Sequence, residues 1–155
     1  MEKTREETAG TEIQRVSRLE KILNDMKMNY KKIDFPDDDL VYVVNFNIDL
    51  SSDKNREVIV FLLDYANNKD LIIMCPNIYK LKKDDTTLGI LVALNKVNSK
   101  LSGGTVTLED DMVVYRRVVH FDRIDSINKL NLVKIFNDII ASIIYTAEEI
   151  KNIGR

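Results

Sequence analysis

The sequence predicts an α+β fold, an antiparallel sheet packed against helices, in the order α-β-β-β-α-β-β-α. Three observations predict it. Leu40, Tyr42, Val44, Phe46, Ile48 and Leu50 alternate with partners that include Asn45, Asn47 and Asp49, the period-two signature of a strand with one wet face. Apolar residues spaced by three and four mark amphipathic helices near both ends of the chain and in its middle. Polar turns at Ser51–Asn55 and Asn67–Asp70 separate successive strands. Half-wet strands beside amphipathic helices imply an antiparallel sheet with helices on it.

Residues 1–10 are polar and read as a flexible N-terminus, leaving 11–155 as a single domain able to bury ~70% of its unfolded surface. Thr11 and Gln14 form a capping-box pattern. Behind it, Ile13, Val16, Leu19, Leu23, Met26 and Tyr30 give the first helix its core stripe. Ile33 and Phe35 alternate with polar neighbours and offer a further short strand before Pro36 and the Asp37–Asp39 turn. Val58 to Leu63 is apolar on both faces, as expected of a central strand. Leu71 to Cys75 reads as the next strand, ended by Pro76.

Asp84, Asp85, Thr86 and Thr87 supply caps for a second helix. Its stripe is Leu88, Leu91, Leu94, Val97 and Leu101, and Gly103-Gly104 stops it. A hairpin follows, with Glu109-Asp110-Asp111 at its tip and Val106 and Leu108 facing inward. The last helix starts near Ser126 or Asn128. Leu132, Phe136, Ile139, Ile140, Ile143, Ile144, Ala147 and Ile150 make a stripe wide enough to lie across a sheet.

Composition narrows the function. The net charge of −2 argues against general nucleic-acid binding, whose affinity comes mostly from Lys and Arg on phosphates. One Cys and one His leave no disulfide, no usual zinc site and no cofactor to expect. The acidic start does not resemble a secretory signal, and Lys134, Asn137 and Asp138 interrupt the apolar C-terminal run, so no membrane span is expected and the protein reads as cytoplasmic.

Candidate sites each have a structural counterpart. Asn95 and Asn98 share a helix face and suit either a partner contact or, the stronger reading, bonds to a neighbouring loop or strand end. His120 lies beside Asp122, but no nucleophile accompanies the pair, so an ordinary strand-end histidine is expected. Cys75 reads as a core residue. The acid clusters at 37–39, 84–85 and 109–111 lack the ligand spacing of a calcium loop and suit turns and caps. Arg116 and Arg117 point to opposite strand faces and cannot form one patch. No catalytic set and no metal site is expected.

Leu94-Asn95-Lys96-Val97-Asn98, followed by Gly-Thr-Val-Thr-Leu-Glu-Asp-Asp-Met-Val-Val-Tyr-Arg, resembles the YbjN family over roughly residues 12–152. That family carries a Leu-Asn-x-x-Asn segment in its second helix, then a strand, an acidic turn and a strand. It is described as bacterial sensory transduction regulators with the fold of type III secretion chaperones. The resemblance implies a non-enzymatic interaction module, chaperone-like or regulatory, often dimeric, that holds a partner polypeptide. Ile90, Leu91, Leu94, Asn95, Val97 and Asn98 are the candidate interface, because Ile90, Val92 and Ala93 give the second helix another apolar side that a homodimer would cover. Sheet edges are a further place for a partner segment. The alternative is a small-molecule-sensing domain with a ligand or peptide groove at Tyr42, Phe46 and Phe61.

Overall fold

The computed structural model describes residues 19–36, 39–51, 53–64, 70–120 and 127–153. Among them are three helices, α1 (residues 19–25), α2 (Thr87–Lys100) and α3 (Lys129–Lys151). Six strands, β1 (Asn29–Asp34), β2 (Leu40–Ile48), β3 (Arg56–Asp64), β4 (Asp70–Lys80), β5 (Thr105–Glu109) and β6 (Met112–His120), form one sheet in the order β1-β2-β3-β4-β6-β5. Every neighbouring pair is antiparallel. The predicted fold class stands, with the short strand at 33–35 realised as the six-residue β1. The Thr11 capping box and the flexible N-terminus lie outside the described residues.

All three helices pack on one face of the sheet. The core joins Leu19 and Leu23 of α1, Ile90, Leu94 and Val97 of α2, and Leu132, Phe136 and Ile139 of α3 to Tyr42, Val58, Leu62, Ile73, Cys75 and Tyr115. Burying such a side chain contributes about 1.5–3 kcal/mol. The helices run along the alternating positions that the period-two pattern turns inward.

Helix α1 ends earlier than its stripe suggests. Met28 N–H donates to the Leu23 carbonyl and Lys27 N–H to that of Asn24, the paired bonds of a Schellman stop. Lys27 takes the left-handed φ of 54° that glycine usually supplies there. The chain then reverses, and Tyr30 packs from β1, its ring edge-on to Tyr42 at 6.0 Å.

Strand β4 runs through Pro76 rather than ending at it. The β4–β6 register breaks between Cys75 and Tyr79, where a residue lacking an N–H does least harm. Asn77 restores what the break removes on the β3 side: its Oδ1 accepts from Ile59 N–H at 3.3 Å and its Nδ2 donates to the Glu57 carbonyl at 3.1 Å. The Arg56 guanidinium donates to the carbonyls of Asn77 and Ile78.

Thr86 caps α2, its hydroxyl accepting from Gly89 N–H at 3.1 Å. Helix α2 buries Ile90, Ala93, Leu94 and Val97, whereas Leu88, Leu91 and Val92 face outward. Asn128 and Asn131 form a reciprocal capping box on α3. Helix α3 is long and apolar enough by length and composition to cross a membrane, with mean hydropathy 1.3. Its stripe from Leu132 to Ile143 is spent on the sheet, narrower than predicted because Ile144 is exposed and Ser142, Thr146 and Glu149 take inward places.

Candidate interaction surface

The face of the sheet opposite the helices is apolar. Ile33, Val41, Leu63, Ile72 and Val118 stand side by side across β1, β2, β3, β4 and β6, each in register with the next. Val43, Phe61 and Met74 form a second row beside it, flanked by Lys31 and Arg116. Ile59 adds a third apolar place, next to Asn45 and Asn29. Phe61, Leu63, Ile72 and Met74 are only half-buried, and Val118 is 54% exposed. Among the described residues no helix packs on this face, and of these side chains only Val41 is buried, the others being half-buried or exposed.

Strands with one solvated face normally alternate apolar-in with polar-out. Strands β3 and β4 do not: Ile59, Phe61, Leu63, Ile72 and Met74 break the alternation at the middle of the sheet. One face position spans ~4.8 Å across strands and ~7 Å along them, or about 33 Å², so these nine apolar side chains cover roughly 300 Å². Patches of that size are the largest an ordinary monomer shows, and they are often functional.

The rim is polar and internally paired. Arg116 grips Glu109 with two bonds of 3.0 and 2.9 Å. His120 Nδ1 contacts the Asp70 carboxylate, its ladder partner. His120 ends β6, as expected of a strand-end histidine, and Asp122 lies outside the described residues.

The candidate interface on α2 is corrected. Ile90, Leu94 and Val97 are fully committed to the core, so they cannot also cover a partner helix. Leu91 and Asn95 are exposed. Asn98 turns inward to the edge strand β5, donating from Nδ2 to the Val106 carbonyl at 3.0 Å and accepting its N–H at 2.8 Å. The candidate groove is corrected too, because its three residues do not share a face. Tyr42 is wholly buried on the helix side, its hydroxyl donating to Glu20 at 3.1 Å. Burial first, then Glu20, pushes the Tyr42 phenol well above its ordinary range. Phe46 is on the same side and packs edge-on against Phe136 at 5.8 Å. Phe61 is on the other face.

The remaining candidates have structural roles. Burial pushes the Cys75 thiol up to about 11. Asp85 accepts from Lys82 N–H and the Tyr79 hydroxyl, both at 2.7 Å, and so anchors the turn into α2. Arg117 points to the helix side and binds Asp138 at 2.6 Å, opposite to Arg116 as the strand period requires. Two surface depressions hold about 350 Å³ beside Phe46, Asn45, Asn47 and Glu57, and about 510 Å³ beside Gly103, Arg116 and Val118. Both are open to solvent, and the first is lined mostly by polar groups.

No protein-family model matches this sequence, and no curated protein matches it. Solved structures do. An uncharacterized protein from Methanothermobacter thermautotrophicus superposes with a TM-score of 0.63 at 12% identity, covering 88% of this chain and 96% of that one. YbjN from E. coli, a candidate transcription regulator, superposes with a TM-score of 0.51 at 11% identity, covering 86% of this chain and 90% of its own. At such identities the likeness is one of fold, and the chain has the α+β fold these two structures share.

Proposed function

We propose that the protein is a non-enzymatic interaction module, chaperone-like or regulatory, whose working surface is the open sheet face. The observation that carries this reading is the pair of apolar rows through Leu63–Ile72 and Phe61–Met74 on a face the helices leave uncovered. Apolar surface of this kind is favourable to remove from water, and a polypeptide laid on it would do so. The sheet edges are poorer places for a partner. Strand β1 is short and carries Lys31 and Lys32, and β5 has Asn98 on its outer edge at Val106. The fold shared with YbjN, a candidate regulator, supports a regulatory role for the same surface.

A photo-crosslinking residue at position 61 tests this in native lysate. It should capture a polypeptide that the same probe at position 95, on the outer side of α2, does not. Absence of any captured chain at 61 would remove the proposal. A small-molecule sensor is supported less well, because Tyr42 is buried in the core and the two depressions are wide open to solvent.

A further inference from the structure

We infer that the depression beside Asn45 and Asn47 is a binding site for a neutral polyhydroxylated ligand, a saccharide. It lies past the apolar rows, at the end of the sheet where β2 and β3 meet the turn between α1 and β1. Such a site is separate from the polypeptide surface and does not depend on it.

Asparagine is disfavoured in strands, where a short polar side chain packs poorly. Here three stand together on one face. Asn29 and Asn45 are ladder partners, Asn47 follows two places along β2, and Glu57 is its partner on β3. Strands lie ~4.8 Å apart and successive side chains of one face ~7 Å apart, so these four groups fit the reach of one or two sugar rings. Lys27, in the turn before β1, lines the same depression. Other asparagines have structural tasks: Asn77, Asn98, Asn128 and Asn131 spend their side chains on backbone groups. Among the described residues, the side chains of Asn29, Asn45, Asn47, Glu57 and Lys27 make no hydrogen bond or ion pair. Places where a strand breaks its own propensity with no internal return are where function is expected.

The chemistry of these groups selects the ligand. A carboxamide both gives and takes hydrogen bonds, as a hydroxyl does, and a carboxylate takes one from each of two neighbouring hydroxyls. Three amides and one carboxylate therefore match a ring of hydroxyls. Met28 and Phe46 add apolar surface for the C–H face of a sugar. One ammonium and one carboxylate leave no net charge to attract a phosphate or another strongly charged ligand. Calcium is served by several carboxylates, and this site has one. An apolar ligand needs a closed pocket of hydrophobic side chains, whereas this depression is open and mostly polar. Its volume of about 350 Å³ has room for a mono- or disaccharide, held with millimolar affinity because water reaches the site.

Amide NMR of the isotope-labelled full chain tests this, with glucose, mannose, galactose, N-acetylglucosamine, maltose and cellobiose as probes. At least one sugar should move the Nδ2 signals of Asn29, Asn45 and Asn47 in a saturable way. Asn45→Ala and Asn47→Ala should each weaken that binding about tenfold, the scale of one or two hydrogen bonds. Asn95→Ala, on the outer side of α2, should leave it unchanged. All these side chains are exposed, so the variants should keep the fold, which circular dichroism checks. Adenosine, glycine and inorganic phosphate are the comparison probes. Saturable shifts with any of these and with no sugar overturn the inference, as does silence with every probe. Sugar binding that survives both Asn45→Ala and Asn47→Ala overturns the placement at this depression. Loss of polypeptide capture at position 61 in the same two variants, with no sugar bound, gives the amides to the polypeptide and overturns the saccharide. Sugar binding in a chain that captures nothing at 61 supports the site and removes the interaction-surface reading alone.

Discussion

Asn98 meets Val106 as a neighbouring strand would. The side-chain amide gives one hydrogen bond and takes one, 3.0 and 2.8 Å, from the same residue's backbone on the free edge of β5. Replacing Asn98 by Ala leaves both groups of Val106 without these partners. An unsatisfied buried group costs about 1–3 kcal/mol, and solvent reaches part of this edge, so a loss of about 2 kcal/mol is expected in urea unfolding. Asn98→Asp should cost as much or more, since it keeps the acceptor but loses the donor facing the carbonyl.

Gly104 answers to Tyr115. It sits at φ 78°, and a Cβ there would lie 2.4 Å from the Tyr115 ring, whose hydroxyl donates to the Gly103 carbonyl at 2.9 Å. Gly104→Ala therefore adds the left-handed penalty, about 1–2 kcal/mol, to displacement of a fully buried ring. A drop of about 3 kcal/mol in thermal or urea stability is expected. Adding Tyr115→Phe should recover little, because the ring remains.

Thr146 is wholly buried in α3, and its hydroxyl has no hydrogen-bond partner. Valine has nearly the same shape without the hydroxyl. Thr146→Val should raise stability by about 1 kcal/mol, read as a higher urea midpoint with an unchanged slope.

Lys100 holds Glu149 at 2.7 Å, and this hydrogen bond lowers the Glu149 pKa from its ordinary 4.5. A carboxyl whose folded pKa is depressed contributes stability above its unfolded pKa and loses it as pH falls through the folded value. The difference in stability between the unaltered chain and Glu149→Gln should hold steady near neutrality and shrink below pH 4.5. The same bond raises the Lys100 pKa, so a second decline should begin as pH climbs past 10.5. Denaturant midpoints across the pH range would show both limbs.

The strands and helices were legible because their periods are clean. Val44 to Ile48 and Thr105 to Glu109 alternate strictly, and the structure follows them. What escaped was set by single residues acting out of type. Lys27 does the work of a C-terminal glycine, so the helix stripe seemed to run on to Tyr30. Pro76 looked like an end because the ladder repair by Asn77 and Arg56 depends on residues some twenty positions apart. Gly103 and Gly104 looked like a helix stop, but Leu101 already caps α2, and the glycines clear space for Arg117 and Tyr115.

The surface was half legible. Val58 to Leu63 showed two apolar faces, and the natural inference was that both are covered within the chain. Periodicity reports which side chains share a face and does not say how many layers the fold has. The helix 88–101 stripe was misaligned for a related reason: Ile90, Ala93, Leu94 and Val97 sit as plausibly on one face as Leu88, Leu91 and Leu94 do, and only the sheet beneath decides.

Pro76 divides β4 into two mechanical provinces. Before it, Leu71 to Met74 lie between two continuous ladders, so their amides should exchange with solvent only as the whole sheet opens. After it, the strand is moored by the side chains of Arg56 and Asn77 and leads through Tyr79 and Asp85 into α2. That second half can loosen together with the start of α2 while the sheet centre stays shut. One strand would thus report two different opening free energies along its length.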